Sequence, residues 1–600
     1  MLTPKQQKFI RHNRHKHTID DLAKTLRTTP EVIGEYIFSI TKSDNITLPK
    51  YLTPNPAVSL GNIIRSSGWI FLLLMVLTFG VYANSLQGDF VMDDITYLVK
   101  NDHIASFSFV LETPFTIMKA LINWLTYKGA GLNPPAFHLV NIIFHAGVAI
   151  LVYLIAALFF KKRVAIMAAA LTAVHPVFTE SVSWIGGGGY VMYSFFYLLS
   201  LLLYVLSKDN KRLYTASVIF YLITLATSEK AIPLSLVYVI YELSRGRLKT
   251  NFRRLIPYLT LTGIWLFLIF GTSQYYQTRV SALQKMNYNA VGIYNPLAQI
   301  PVAISIYLEL IFWPIKLAFF HSQQQFELTE FITRVGVFAI YGGILVWGFF
   351  HNRRLLFWPG ILFICLIPSF SPIIISWLVA ERYAYLGTIG IIVTVIYLMD
   401  IFITRYNLQK FFPTIVAIVA ILLSARTVIR NLDWQNTGTL AKASLKNAPN
   451  DARMHNNMAV AYINNKDYDN AFRELETSIK IDPRYAGAYY NLGLVAAAQK
   501  NPDQELKFML QSIQLDNTFA QSYEYLASKY YDEGKYPEAK LLVEKAIRSG
   551  LNTSFYRMNL GMINHKLGHR AEAIINLKEA LKLDPKNATA QYWLDQFTKE

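Results

Sequence analysis

Long apolar runs, broken by short charged segments, fill the chain from about residue 67 to 428. They predict membrane-spanning helices near 67–83, 137–160, 164–181, 190–207, 213–227, 232–243, 255–271, 331–350, 355–369, 386–403 and 411–427. Several are shorter than the roughly 20 residues that a straight span needs. The apolar stretch from Pro296 to Phe320 reads as an outer-surface or re-entrant helix, because a twelfth crossing would invert every loop after it. Beyond residue 429 the apolar positions follow amphipathic helices instead. The fold class that follows is all-α, with about eleven transmembrane spans ahead of a soluble helical solenoid.

The soluble part repeats every 34 residues. One register holds Met458, Leu492, Leu526 and Leu560; the next holds Ala459, Gly493, Ala527 and Gly561. Twelve positions on stand Ala471, Glu505, Ala539 and Ala573, and near the repeat ends Pro483, Asn517, Leu551 and Pro585. Small residues let two antiparallel helices approach closely, and proline ends the second helix. The pattern resembles the tetratricopeptide repeat, with four copies over 452–587 and a capping helix from Ala588 to Phe597, within a domain of 437–600. Glu505 departs from the small-residue rule. Such a solenoid offers a concave face to a protein or peptide partner.

Residues 1–60 form a separate polar tail. Thr18 to Leu26 and Thr29 to Ile37 have helical spacing on either side of a short turn, with Thr29 as a cap and Pro30 at the first helical position. This resembles a helix-turn-helix tip. It reads as a small cytoplasmic helix pair, and a tethered half-motif makes nucleic acid an unexpected partner.

Charge sets the topology. Only 16% of the chain is charged, against roughly 25% in ordinary soluble domains. The loops at 161–163, 208–212, 245–254, 353–354 and 405–410 hold 15 Lys and Arg in about 30 residues, whereas the opposite loops hold 8 in about 140. The positive-inside rule then puts the N-terminus in the cytoplasm of a multi-pass cell (inner) membrane protein, with the long loops and repeats outside. The net charge of +18 lies mostly in the membrane part, which argues against a nucleic-acid function. No cleavable leader is visible before the first apolar run, and the single Cys365 excludes an internal disulfide.

Polar groups from distant segments converge on the outer side. The first outer loop carries Asp93 and Asp94, a candidate base and helper. His138, Asn141 and His145 share one helix face. His175 and Glu180 end the third span, Lys230 lies in the turn between spans five and six, and Glu381, Arg382 and Tyr385 precede the tenth. The acidic pair leaves a divalent ion open, although the sequence names no third ligand; no cofactor is required.

The motifs Phe-x-x-Asp-Asp at 90–94, His-Leu-Val-Asn at 138–141, His-Pro-Val-x-Thr-Glu at 175–180 and Glu-Arg-Tyr-x-Tyr-Leu at 381–386, with Arg430 and Trp434, resemble those of the transmembrane and tetratricopeptide-repeat (TMTC-like) O-mannosyltransferases and their bacterial relatives. These belong to the GT-C class of polytopic glycosyltransferases. The resemblance implies a GT-C-like domain over 67–428. It implies a polyprenyl-phosphate sugar as donor, with mannose by analogy, and a protein Ser/Thr hydroxyl as acceptor. Asp93 would be the base and Asp94 its helper; Arg382 and Lys230 would meet the donor phosphate. His138, Asn141, His175, Glu180, Glu381 and Tyr385 would line the substrate site. Two cationic positions of the pattern are absent: Gly186 to Gly189 and Tyr190 stand where a Gly-Arg-x-Asp is usual, and the Arg-Pro after the acidic loop is missing, with Glu112-Thr113-Pro114 nearby. Two alternatives stand beside this enzyme. One is a non-catalytic membrane scaffold that recruits envelope proteins through its repeats. The other is a ligase or polymerase using lipid-diphosphate glycans.

Overall fold

Every apolar run becomes a helix, and local chemistry shows what ends several of them. A computed structural model gives the fold. It describes residues 3, 6–7, 9–10, 19–34, 50–54, 59–101, 103–208, 210–271, 296–319, 321, 327–370 and 379–599. Much of the expected N-terminal helix pair lies outside these residues; within them, Leu22, Ala23 and Ile33 pack with Ile10.

The described residues are helical and contain no strand. Among the described residues, seven helices are long and apolar enough to cross a membrane: Gly68–Gln87, Pro134–Phe159, Gly188–Leu206, Leu248–Gly271, Leu328–His351, Glu381–Arg405 and Gln409–Asp433. Lys162–Val174 and Pro176–Ser183, bent by 48° at His175, make an eighth if taken as one span. The expected count of eleven is therefore not reached by length. The other three predicted spans are the shorter helices Lys211–Thr227, Ser235–Ser244 and Arg354–Leu366. Pro233, in the tight turn Glu229–Leu234, delays the start of the second of these. Asn210 caps the first by accepting from the Arg212 and Leu213 N–H groups. The helix Pro296–Phe312 buries Tyr307, Leu310 and Ile311 inside the protein.

The bundle has two chemically different ends. At one, basic side chains are tied to the helix ends: Arg163 pairs with Asp400, and Arg254 bonds Ser207. At the other, the acidic turn, the bend at His175 and the start of the Glu381–Arg405 span come together.

The repeats fold as four helix pairs, 452–464/468–481, 486–498/502–515, 520–532/536–548 and 554–566/570–583, followed by Ala588–Lys599. The small-residue register is explained by contact. A Cβ on Gly493 would lie 2.8 Å from Met509 Cε, and one on Gly561 would lie 2.9 Å from Leu577 Cγ. Glu505 is tolerated because it pairs with Lys529 at 2.6 Å and accepts from the Tyr525 hydroxyl at 3.0 Å. The helix Thr437–Asn447 clamps this domain to the bundle: Phe319 N donates to Ser444 Oγ at 3.3 Å, and Asn447 Nδ2 donates to Leu317 O at 2.8 Å.

Candidate active site

The acidic turn is the centre of the site. Gly88 begins it without room for a side chain, since a Cβ would lie 3.2 Å from His138 Nε2 and from Trp434 O. The Asp89 N–H donates to Gln435 O at 2.8 Å, which ties the turn to the end of the last span. Met92 adopts φ +55°, a left-handed conformation costly for a non-glycine residue, so its surroundings must hold it there. Beyond it the two carboxylates part: Asp93 is exposed, and Asp94 is 1% exposed.

Asp94 Oδ2 accepts from the Val91 N–H at 3.2 Å. Burial pushes its carboxyl up to about 7, against the opposing pull of the Val91 hydrogen bond and the Lys119 charge; Asp93 adds to the rise, and a Gly186 backbone hydrogen bond opposes it. The Val91 carbonyl in turn accepts from Trp184 Nε1 at 3.4 Å. One backbone unit thus joins the acidic turn to the 184–189 turn.

The four glycines there are packed, not merely permissive. A Cβ at Gly186 would lie 2.8 Å from Asp94 Oδ1, at Gly187 2.3 Å from Glu180 O, at Gly188 2.0 Å from Asn141 Oδ1, and at Gly189 3.2 Å from Lys119 Cδ. The turn is pressed against Asp94, the Trp184 ring, the Glu180 carbonyl and Asn141, and touches the Lys119 stem more loosely. Asn141, a predicted site residue, holds it by donating to Val182 O at 3.3 Å and Trp184 O at 3.1 Å. His138 does the same for the acidic turn, 3.2 Å from Gly88 O.

Lys119 was not singled out from the sequence. It sits on the helix Ile117–Ala130, outside the spans, half-buried, with Nζ donating to Gly186 O at 2.9 Å and lying 5.5 Å from the Tyr97 ring centroid. Burial lowers its pKa from the usual lysine value, while the charges of Asp94 and Asp93 raise it. Its sequence signal was a lone cation among Ile117, Ala120, Leu121 and Trp124, which pack as one apolar cluster.

The two predicted cations, Arg382 and Lys230, meet at the Tyr383 ring. Arg382 is buried in an ion pair with Glu180, and its backbone N–H donates to Glu180 Oε2 at 2.7 Å. Its guanidinium lies 5.6 Å from the Trp184 ring, 5.4 Å from Phe319 and 4.9 Å from Tyr383. Lys230 Nζ lies 5.2 Å from the same Tyr383 ring, and Tyr190 packs against that ring at 5.8 Å.

The remaining predicted residues support this layer from beneath. Glu381 accepts from Ala318 N at 2.7 Å and from Arg430 Nη2 at 3.4 Å, and lies 3.4 Å from His321 Nε2; Arg430 also reaches Asp433 at 2.9 Å. His175 Nε2 lies 2.9 Å from Ile311 O, and Nδ1 accepts from Val177 N, which braces the 48° bend. Tyr385 is 2.5 Å from His145 Nδ1, deeper in the bundle. Trp434 packs at 6.0 Å on Trp184 in one apolar cluster with Val91, Phe319, Leu440 and Met454. Among the described residues no three His, Cys, Asp or Glu side chains cluster as a metal site; the acidic pair gains no third ligand.

Comparison with known proteins agrees with both halves. Residues 452–485, 486–519 and 556–587 match the family model described as tetratricopeptide repeat. The chain is similar to protein O-mannosyl-transferase TMTC3 of Homo sapiens, 26% identical over 463 residues, which cover 66% of this chain and 49% of that protein. The Mus musculus protein of that name is 24% identical over 458 residues, covering 65% and 49%. Protein O-mannosyl-transferase TMTC1 of Homo sapiens is 34% identical over 149 residues, covering 22% and 17%. The chain therefore spans about half the length of the TMTC3 relatives it matches. It is a membrane-helical, repeat-bearing relative of the TMTC-like protein O-mannosyl-transferases.

Proposed function

We propose that this protein transfers a sugar, mannose by analogy with its named relatives, from a polyprenyl-phosphate donor to a protein Ser/Thr hydroxyl on the outer face of the membrane. The observation that carries the reading is the acidic turn: an exposed Asp93 beside a buried Asp94, with Lys119 against the neighbouring glycine turn and Lys230 over the Tyr383 ring. The basic end of the bundle then faces the cytoplasm, and the acidic turn and repeats face outward.

In this reading Asp93 is the general base. It takes the acceptor hydroxyl proton as that oxygen attacks the anomeric carbon. The bond from that carbon to the donor phosphate oxygen breaks, and the electron pair leaves with polyprenyl phosphate. A single in-line displacement inverts the anomeric centre. Phosphate is a good leaving group, so no strong acid is needed. Asp94 holds the turn through Val91 and Gly186. Lys230 and Lys119 supply positive charge for the phosphate that departs. Arg382, paired with Glu180, braces Tyr383 and Trp184 from below and adds its charge to the same wall. His138, Asn141, His175, Glu381 and Tyr385 hold the surrounding backbone and helices in place. The contacts of the four glycines favour a built pocket over a degenerate one, so the enzyme is preferred to a scaffold.

The test is donor class. Purified protein in lipid nanodiscs, given an acceptor peptide rich in Ser and Thr, is expected to transfer sugar from radiolabelled polyprenyl-phosphate mannose and not from a nucleotide sugar. Transfer from the nucleotide sugar alone would overturn the reading.

A further inference from the structure

The first helices of the four repeats, Ala452–Asn464, Ala486–Ala498, Ala520–Asp532 and Ser554–Lys566, form a row that starts at the acidic turn. Asn457 Nδ2 lies 3.3 Å from Met92 Sδ as a donor, and Met454 packs with Val91 and Trp184. The row continues through Asn491 Nδ2, which donates to Asn456 Oδ1 at 2.7 Å. Between the third and fourth of these helices lies a cavity of about 280 Å³. Tyr531 and Phe555 line it with Met562 and Asn559, and Glu524 carries its charge. Phe555 is 46% exposed, so part of its ring is open to a ligand in this cavity.

Glu524 has one marked feature. It is exposed, its Oε1 lies 3.3 Å from the Tyr556 hydroxyl, which also reaches Ala520 O at 3.2 Å, and among the described residues it has no cationic partner. The nearby cations are engaged elsewhere: Lys529 pairs with Glu505 at 2.6 Å, and Arg557 donates to Asn552 and Asn576. An aromatic-lined cavity with an exposed carboxylate on its wall offers a flat, weakly hydrated cation both a ring face and a charge partner. A guanidinium can stack on a ring and offer paired N–H donors to a carboxylate at once, which an ammonium cannot.

We propose that this cavity takes an arginine side chain of an extended acceptor polypeptide that lies along the row of first helices and brings its hydroxyl to the acidic turn. This rests on the proposed polypeptide acceptor. The repeats would then select sequences with an arginine at a fixed distance from the modified residue, set by the one full repeat that lies between those of Asn457 and Glu524.

The experiment is fluorescence anisotropy on full-length protein in nanodiscs. The probes are two labelled Gly/Ser/Thr peptides, identical except for one Arg or Gln. Wild type is expected to bind the Arg peptide about tenfold more tightly, the scale of a partly desolvated cation–π and charge pair. Glu524→Gln and Phe555→Ala are each expected to erase that preference while melting as wild type does. Equal binding of the two peptides by wild type, binding of neither, or a preference that survives Glu524→Gln would overturn the proposal. Asp93→Asn is expected to keep the preference. Preference without sugar transfer would sink the enzymatic reading alone, and transfer without preference would sink the pocket alone.

Discussion

Lys119 reaches the Gly186 carbonyl at 2.9 Å, and so a cation from a loop helix sits where the glycine turn meets the buried Asp94. The related pattern carries an arginine in the segment that here reads Gly186 to Gly189; in this chain a positive charge comes to that turn from another element. Lys119→Met is expected to lower transfer about 100-fold or more, the scale of removing one donor that stabilises developing charge. It should also move the acidic limb of the pH–rate profile upward by about one unit, because a nearby cation favours the ionised carboxylate. Lys119→Arg should restore the limb. A fall in rate with no movement of the limb would make Lys119 a packing residue only.

The titration of Asp94 gives a second expectation. Burial holds its carboxyl up to about 7, so transfer should rise with pH through that value as the ionised form accepts from Val91 and Gly186. Stability should run the other way. The native value lies above the ordinary one near 4, so the native state binds the proton more tightly. The contribution of Asp94 to stability is therefore fully present below about pH 4 and is lost as pH rises through about 7. Asp94→Asn should abolish this limb of the rate profile, and its melting temperature relative to wild type should improve between pH 4 and 7. Parallel melting curves across that range would contradict this.

The Glu180–Arg382 pair predicts an asymmetry. Arg382→Met alone leaves a buried carboxylate beneath the site and should destabilise the protein by about 3–5 kcal/mol. Adding Glu180→Gln should recover much of that loss. Thermal unfolding in detergent checks it; equal destabilisation by the single and double variants would show that the charge is not what matters.

The glycine turn can be probed by adding one carbon. Gly188→Ala places a Cβ 2.0 Å from Asn141 Oδ1 and should cost about 1–3 kcal/mol, with loss of transfer. Gly80→Ala meets nothing within 4 Å and should be neutral or slightly stabilising. Similar melting of the two variants would mean that the turn yields easily.

Much of this architecture was legible because periodicity and charge are local properties. The 34-residue register marked the close contacts at Gly493 and Gly561, and the apolar runs marked the helices. The number of spans was less legible, since Pro233 and the bend at His175 shorten helices without interrupting apolar composition. At the site, motifs named the residues that meet around the glycine turn, yet not their partners. Arg382 read as a donor-phosphate ligand, and its pairing with Glu180 was hidden because it spans 202 positions. Lys119 escaped notice because its importance comes from a contact 67 residues away. The glycines looked like losses in sequence and are close-packing positions in three dimensions.

The central claim is that Asp93, the exposed member of the acidic pair, carries the chemistry. Its most direct test is release or transfer of sugar from radiolabelled polyprenyl-phosphate mannose by purified wild type beside Asp93→Asn, with folding matched by melting temperature. The account predicts turnover in wild type and a loss of about 100-fold or more in the variant, the scale of removing a general base. Equal turnover by the two proteins would contradict it.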